Sequence, residues 1–130
     1  MAYNYPIPAE GAVKLELSLI ATSSISKLDL VKLDSNTHCS RANFTSSQNA
    51  SVIGVALNSA IGGNTVKVLL FGILEDPSLL FALNDLLFLK SDSTITDIGT
   101  STTGDFLVVV GKSLGTGAIF VNVSTPEEII

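Results

Sequence analysis

The chain has 130 residues, a formal net charge of −5 and 15% charged residues, and its mean hydropathy is +0.50. This length fits one domain with a core of its own. The seven basic residues are scattered between Lys14 and Lys112 and form no stripe that could neutralise a run of phosphates, so we exclude nucleic acid as a partner. The apolar excess predicts that an oligomer covers part of the surface.

The sequence predicts neither a membrane span nor an export signal. Apolar residues 68–74 are followed by Glu75, and residues 79–89 are interrupted by Asn84, so both runs are too short to cross a bilayer. The first residues have no basic start and no apolar segment, so we expect the protein to stay in the cell that makes it until it is assembled. Cys39 is the only cysteine, which excludes a disulfide within the chain.

The first segment, residues 1–11, contains Pro6 and Pro8, which fix extended backbone and remove two donors. We predict an extended N-terminal arm there, with a frayed terminus as the alternative. The chain then alternates between apolar and polar residues, which predicts a half-buried strand. Its apolar face contains Val13, Leu15, Leu17 and Leu19.

The rest of the chain consists of short strand-like segments separated by turns rich in Gly, Asn, Asp and Ser. We predict strands at residues 28–33, 38–42, 52–57, 65–74, 86–89, 93–96, 106–114 and 118–123. A short helix at residues 78–83, capped by Asp76 and opened by Pro77, remains an option. The expected fold is all-β, a small antiparallel barrel or sandwich over residues 12–124, with residues 125–130 as a C-terminal tail.

An internal repeat accompanies this pattern. DLVKL at residues 29–33 matches DLLFL at 85–89, and VIGVA at 52–56 matches VVGKS at 109–113. Two related β-units are one interpretation, and a chance likeness between short β-segments is the other. We expect structural glycines where a strand bends or another backbone approaches closely. These are Gly54, Gly63, Gly72 and Gly111.

Residues that could carry chemistry are sparse. His38 and Cys39 are neighbours, and on a strand they would point to opposite faces, so a Cys–His pair is not expected. One histidine and one cysteine do not supply a zinc site. The glycine pairs at 62–63 and 115–117 lead into strands rather than helices, so they do not resemble phosphate loops. We predict no catalytic residue, no metal site and no cofactor.

The stretch VIGVALNSAIGGNTVKVLLFG resembles the small all-β structural proteins of tailed-bacteriophage virions. The residues that carry the resemblance are Val52, Gly54, Val55, Ala56, Ala60, Gly63, Val66, Val68 and Gly72. The segments LNDLLFLKSDSTIT and VVVGKSLGTGAIFVNV are similar to the same group, so the resemblance covers residues 12–123.

The resemblance implies a capsid decoration or cement protein, usually a homotrimer on the outer face of the head. It would be made in the host bacterial cytoplasm and bind the major capsid protein or another virion protein. Expected contacts with a partner are Tyr5, Ile7 and Pro8 in the arm, and Phe71, Leu74 and Phe81 in the domain. The alternatives are a fibre or receptor-binding module for a host-surface glycan, using loops 43–51 and 97–105, and a small hydrolase using His38.

Overall fold

The computed structural model describes residues 13–130, which contain eleven strands and no helix. The all-β prediction is therefore confirmed for this part of the chain. The strands are β1 Leu15–Ala21, β2 Leu30–Leu33, β3 His38–Arg41, β4 Val52–Ala56, β5 Thr65–Glu75, β6 Leu86–Leu89, β7 Ile95–Thr96, β8 Phe106–Leu107, β9 Val109–Ser113, β10 Ala118–Asn122 and β11 Glu127–Glu128.

The first five strands close into a barrel in the order β1, β3, β2, β4, β5. The ring closes because β1 pairs with two neighbours. Along most of its length it is antiparallel to β5, and at its end Ile20 and Ala21 lie parallel to β3. The other pairings in the ring are antiparallel, as expected for a small barrel.

The other half of the sheet continues from the second part of β5. Residues 71–75 pair with β10, which is followed by β9, β6 and β7. At the C-terminus, β11 pairs with β8, and the Gly104 N–H donates to the Ile129 carbonyl at 2.8 Å. Residues 127–129, which the sequence analysis assigned to a tail, are thus held by the sheet and by backbone bonds.

Two apolar cores lie on opposite faces of the barrel wall. The smaller one fills the barrel and is built from Leu19, Ala21, Ile25, Val31, Cys39, Ala56, Ala60, Val66 and Val68. The larger one lies between the outside of the barrel and the β10–β9–β6–β7 extension. It contains residues from both halves, among them Leu30, Val55, Leu69, Leu87, Val110 and Ile119. The two halves are therefore one packed body.

The strands of the repeat pair in the same register. Lys32 lies opposite Ser40 in the first unit, and Phe88 lies opposite Thr96 in the second. We name residues 26–75 the first unit and residues 82–122 the second unit. In each, the sheet has a register shift at the corresponding place, after Val31 and after Leu87. The two units therefore share local geometry as well as sequence.

The turns that enter β2 and β6 also correspond. Leu28 and Asn84 both have positive φ, at 76° and 73°. The Leu28 N–H donates to Ala56 O at 2.8 Å, and the Asn84 N–H donates to Ser113 O at 3.0 Å. Because a positive φ is uncommon outside glycine, its occurrence at corresponding residues favours a repeated unit over chance likeness.

The helix considered at residues 78–83 does not form. The Asp76 side chain accepts from Ser78 N at 2.9 Å and from Ser78 Oγ at 2.6 Å, which makes a tight Asx turn. The Gly117 N–H then donates to the Leu79 carbonyl at 2.7 Å. The segment is bonded to the loop before β10, so the cap serves a turn and no helix follows.

Candidate interaction surface

His38 and Cys39 are adjacent on β3 but lie in different surroundings. The His38 Nδ1 is 2.8 Å from the Thr37 hydroxyl. Cys39 is fully buried in the barrel core, and this burial raises the pKa of its thiol. A buried thiol with a raised pKa is a poor nucleophile. The two side chains form no nucleophile–base pair.

Two acidic side chains, Asp76 and Asp92, accept hydrogen bonds within turns. Hydrogen bonds from Lys27 and Ser78 hold the pKa of Asp76 well below its usual range. A hydrogen bond from Thr94 likewise lowers the pKa of Asp92. Within residues 13–130, no three His, Cys, Asp or Glu side chains come together as a set of metal ligands.

Two ionic contacts involve residues that enter or flank the strands of the first unit. Lys27 Nζ lies 2.7 Å from an Asp76 carboxylate oxygen. Arg41 Nε lies 3.2 Å from a carboxylate oxygen of the buried Asp29, and Arg41 Nη2 donates to the Asp92 carbonyl at 2.6 Å. Arg41 thus ties the end of β3 to the loop that precedes β7.

The apolar face of β1 is only partly covered. Leu19 is buried, but Leu15 and Leu17 are 57% and 40% exposed, so the predicted half-buried strand is correct only for its second half. Leu15 lies opposite Phe71 of β5, which is 38% exposed and packs edge-on against Phe120, with 5.1 Å between ring centroids. The exposed group Val13, Leu15, Leu17 and Phe71 is named the β1 patch.

The six side chains predicted to contact a partner have different positions. Phe71 belongs to the β1 patch. Leu74 is only 7% exposed and lies in the larger core opposite Ile119, so its role is internal and the expectation of a partner contact is corrected. Phe81 is half-buried against the same core. Tyr5, Ile7 and Pro8 lie outside the described residues.

A bulge explains the burial of Leu74. Glu16 lies opposite Leu69, whereas the preceding residue of β1, Leu15, lies opposite Phe71, so Leu70 is an extra residue in β5. An extra residue reverses the alternation of faces beyond it. Leu69 and Leu74 consequently share one core, and Phe71 is turned to the outside.

Each structural glycine lies where a larger residue would either collide with a neighbouring strand or have to adopt a strained backbone conformation. A Cβ on Gly72 would lie 2.8 Å from Val13 O, and its φ is +129°. Gly63 has a φ of +90° in the turn before β5. At Gly54 and Gly111, a Cβ would collide with a carbonyl group of the next strand.

A cavity of about 280 Å³ opens beside the turn that replaces the expected helix. Its walls come from three segments: the turn before β2, the segment after β5, and the start of β7. They are lined by Lys27, Leu28, Asp29, Ser78, Leu79, Phe81, Thr94 and Ile95. The cavity has one basic and one acidic side chain on its rim, and both are already paired: Lys27 with Asp76, and Asp29 with Arg41. The remaining wall is mainly apolar.

Loop 43–51 bonds largely to itself. Asn43 Oδ1 accepts from both the backbone and the hydroxyl of Thr45, and Ser51 Oγ donates to Ser47 O at 2.7 Å. The Phe44 carbonyl accepts from Phe106 N at 2.9 Å, which fixes the loop to β8. Several of its polar groups are therefore already used within the protein.

The described residues define an all-β protein of two related units, with an exposed apolar patch on the sheet. Also among the described residues, no helix has the length and apolar character to cross a membrane.

No protein-family model and no curated protein sequence matches this chain. Among solved structures, the chain is similar to the crystal structure of the head fibre gp8.5 N base of bacteriophage phi29. The identity is 14% and the TM-score 0.47, with 88% of this chain and 98% of that chain covered.

Proposed function

We propose that this protein is a structural component of a tailed-bacteriophage virion, a decoration protein that binds the outer surface of the head and stabilises it. The sequence resemblance of residues 12–123 to small virion proteins supports this function. The β1 patch supports it physically, because it offers an attachment surface on a closed barrel. The major capsid protein is the proposed partner.

The β1 patch is the observation that carries the proposal. Its four side chains are apolar, lie on β1, on β5 and just before β1, and remain 38% or more exposed. Burying one such side chain fully stabilises a complex by roughly 1.5–3 kcal/mol, so partial burial of several supplies a useful but modest affinity. A homotrimer, which we also propose, would present three patches and increase the avidity without any new contact.

Binding to heads tests the proposal. Purified protein is mixed with undecorated heads of the phage whose genome encodes it, and bound protein is counted after sedimentation. We expect saturable binding that Leu17→Asp weakens at least about tenfold, the equivalent of 1.4 kcal/mol. Ile61→Asp is the matched control, since Ile61 is 66% exposed in the loop between β4 and β5, away from the patch.

The fibre or receptor-binding alternative predicts a different result in the same assay. A protein of that kind would adsorb to host cells, would leave the heads unbound, and would be insensitive to Leu17→Asp. The internal hydrogen bonds of loop 43–51 favour the decoration function over glycan recognition by that loop. Binding to neither heads nor cells would contradict both functions.

A further inference from the structure

The first half of β1 has backbone groups that point away from β5. The Lys67 backbone bonds toward the end of β4: the Leu57 N–H donates to its carbonyl and its own N–H donates to Asn58 Oδ1, both at 2.8 Å. Ser18 lies opposite Lys67, so its N–H and C=O do not bond to β5 and are directed to the other side of β1. Because these directions alternate along a strand, Glu16 is directed to the same side.

Contacts at both ends of β1 agree with this alternation. At its end, the Ile20 N–H donates to Thr37 O at 2.8 Å, on the side away from β5. Before its start, the Val13 carbonyl lies on the β5 side, 2.8 Å from the position of a Cβ on Gly72. The backbone groups of Lys14, the next residue, are therefore directed away from β5, like those of Glu16.

The outward-directed backbone groups of Lys14, Glu16 and Ser18 are named the β1 edge. β3 lies beside β1 only at Ile20 and Ala21, and within residues 13–130 no backbone group bonds to the β1 edge. An edge with unpaired N–H and C=O groups can add another strand. The side chains along it are exposed, so a further strand has access to it.

The sequence along this edge, VKLEL at residues 13–17, is complementary to itself about Leu15. Apolar residues occupy positions 13, 15 and 17, and Lys14 and Glu16 carry opposite charges at equal distances from the centre. When two such segments pair antiparallel with Leu15 opposite Leu15, each Lys14 lies opposite a Glu16. Neither charge has an ion-pair partner among residues 13–130, so both are available for this contact.

The neighbouring registers lack this complementarity. Pairing centred on Glu16 or on Lys14 places like charges directly opposite, which is destabilising. Pairing centred on Leu17 places Lys14 opposite Ile20, whose N–H is already bonded to Thr37. Charge and edge access therefore both favour the register centred on Leu15.

We propose that the β1 edge pairs with the β1 edge of a second copy, antiparallel and about a two-fold axis at Leu15. Each Lys14–Glu16 pair then exchanges both of its backbone N–H···O bonds, because both residues direct these groups to the edge. The contact is isologous, so it closes after two copies instead of growing into a fibre. The proposal rests on the free edge and its charges, and it is independent of the virion function.

Edge pairing enlarges the β1 patch. Residues that lie opposite each other in an antiparallel pair project to the same face of the sheet. Val13, Leu15 and Leu17 of both copies consequently form one continuous apolar row. A homotrimer built through other surfaces keeps the β1 edge free, and pairing of such trimers doubles the number of copies.

Charge-reversal variants test the pairing through the mass of the protein. Sedimentation equilibrium of the wild type should show a species that doubles its mass as the concentration rises. Lys14→Glu and Glu16→Lys each place like charges opposite in both pairs, so each should weaken this association at least about tenfold. Lys112→Glu is the charge-matched control, since Lys112 is an exposed residue of β9, and it should leave the association unchanged.

Two rescue experiments distinguish a lost contact from a damaged fold. The double variant Lys14→Glu/Glu16→Lys restores opposite charges in both pairs and should associate as the wild type does. An equal mixture of the two single variants should also associate, because one supplies two acidic side chains and the other two basic ones. Neither single variant should do so alone.

Wild-type protein whose mass stays the same at every concentration would overturn the proposal. Single variants that still associate, or a mixture that does not, would also overturn it. If the wild type did not pair and Lys14→Glu lost head binding, the β1 edge would serve a strand of the capsid protein instead. Head binding by the wild type is measured separately, so either proposal can fail without the other.

Discussion

Gly54 and Gly111 occupy the same position in the two units. A Cβ on Gly54 would lie 2.8 Å from the Leu69 carbonyl carbon, and a Cβ on Gly111 would lie 2.9 Å from that of Phe120. In both cases the nearest atoms belong to the backbone of the neighbouring strand, and backbone atoms cannot move aside as a flexible side chain can. The two close approaches are equivalent because each glycine lies beside a register shift in its sheet.

Alanine at either glycine should therefore destabilise the fold. We expect Gly54→Ala and Gly111→Ala each to lower the free energy of unfolding by about 1–3 kcal/mol through overpacking. Gly104→Ala is the control: no atom lies within 4 Å of its Cβ position, so only its φ of +93° opposes alanine. Urea denaturation measures all three. Equal costs at all three positions would contradict a steric role for Gly54 and Gly111.

The Asp76–Lys27 ion pair should make stability depend on pH. Hydrogen bonds from Lys27 and Ser78 lower the folded-state pKa of Asp76 below its ordinary value of 3.8. Its contribution is thus fully present above the unfolded pKa, begins to decline as the pH falls below about 4, and is lost as the pH falls through the lower folded-state pKa. Asp76→Asn should lower the melting temperature at pH 7, and this difference from wild type should shrink at pH 3.

An exposed acid serves as the control for this pH effect. Asp97 lies in the exposed turn after β7 and makes no ion pair with a described residue. Asp97→Asn should leave the melting temperature close to wild type at pH 7 and at pH 3. A difference between Asp76→Asn and wild type that is as large at pH 3 as at pH 7 would show that the carboxylate charge is not its source.

The strands were predictable because their signal is local. Alternation with a period of two identified the segments, and turn residues delimited them. The number of strands differs in two places: residues 106–114 form both β8 and β9, separated at Val108, and β11 forms in the segment that was predicted to be a tail. The glycine motif indicated the repeat as well. At Gly54 and at Gly111 the backbone of the next strand lies so close that only glycine fits, so both units carry glycine at this position.

What the sequence did not predict depends on distant partners. The alternation of β1 indicates an apolar face, but not that Leu19 meets the barrel core while Leu15 meets solvent. The bulge at Leu70 reverses the faces of β5, so Leu74 and Phe71 exchange the exposure that simple alternation would assign. Asp76 does act as a capping residue, as the helix signal predicted, but the hydrogen bond from Gly117 N to Leu79 O holds the segment in a turn.

The β1 patch should be dispensable for folding. Leu15→Asp changes a side chain that is 57% exposed, so we expect the free energy of unfolding to stay within about 0.5 kcal/mol of wild type. Leu19 is on the same face but lies in the barrel core, so Leu19→Ala should lower the free energy of unfolding by about 2–5 kcal/mol. Urea denaturation distinguishes them. A large loss of stability for Leu15→Asp would mean that this face is part of the core.

Unfolding should occur in one transition, because the larger core takes residues from both units. Val55 and Leu69 of the barrel wall pack in the same cluster as Leu87 of the second unit. Leu87→Ala should lower the free energy of unfolding by about 2–5 kcal/mol, and both units should be destabilised together. Thiol labelling of the buried Cys39 reports opening of the barrel, and far-ultraviolet circular dichroism reports the whole sheet. We expect the two midpoints to coincide in wild type and to fall by the same amount in Leu87→Ala. If Cys39 kept its wild-type midpoint in that variant, the barrel would be stable without the second unit, and the larger core would not couple them.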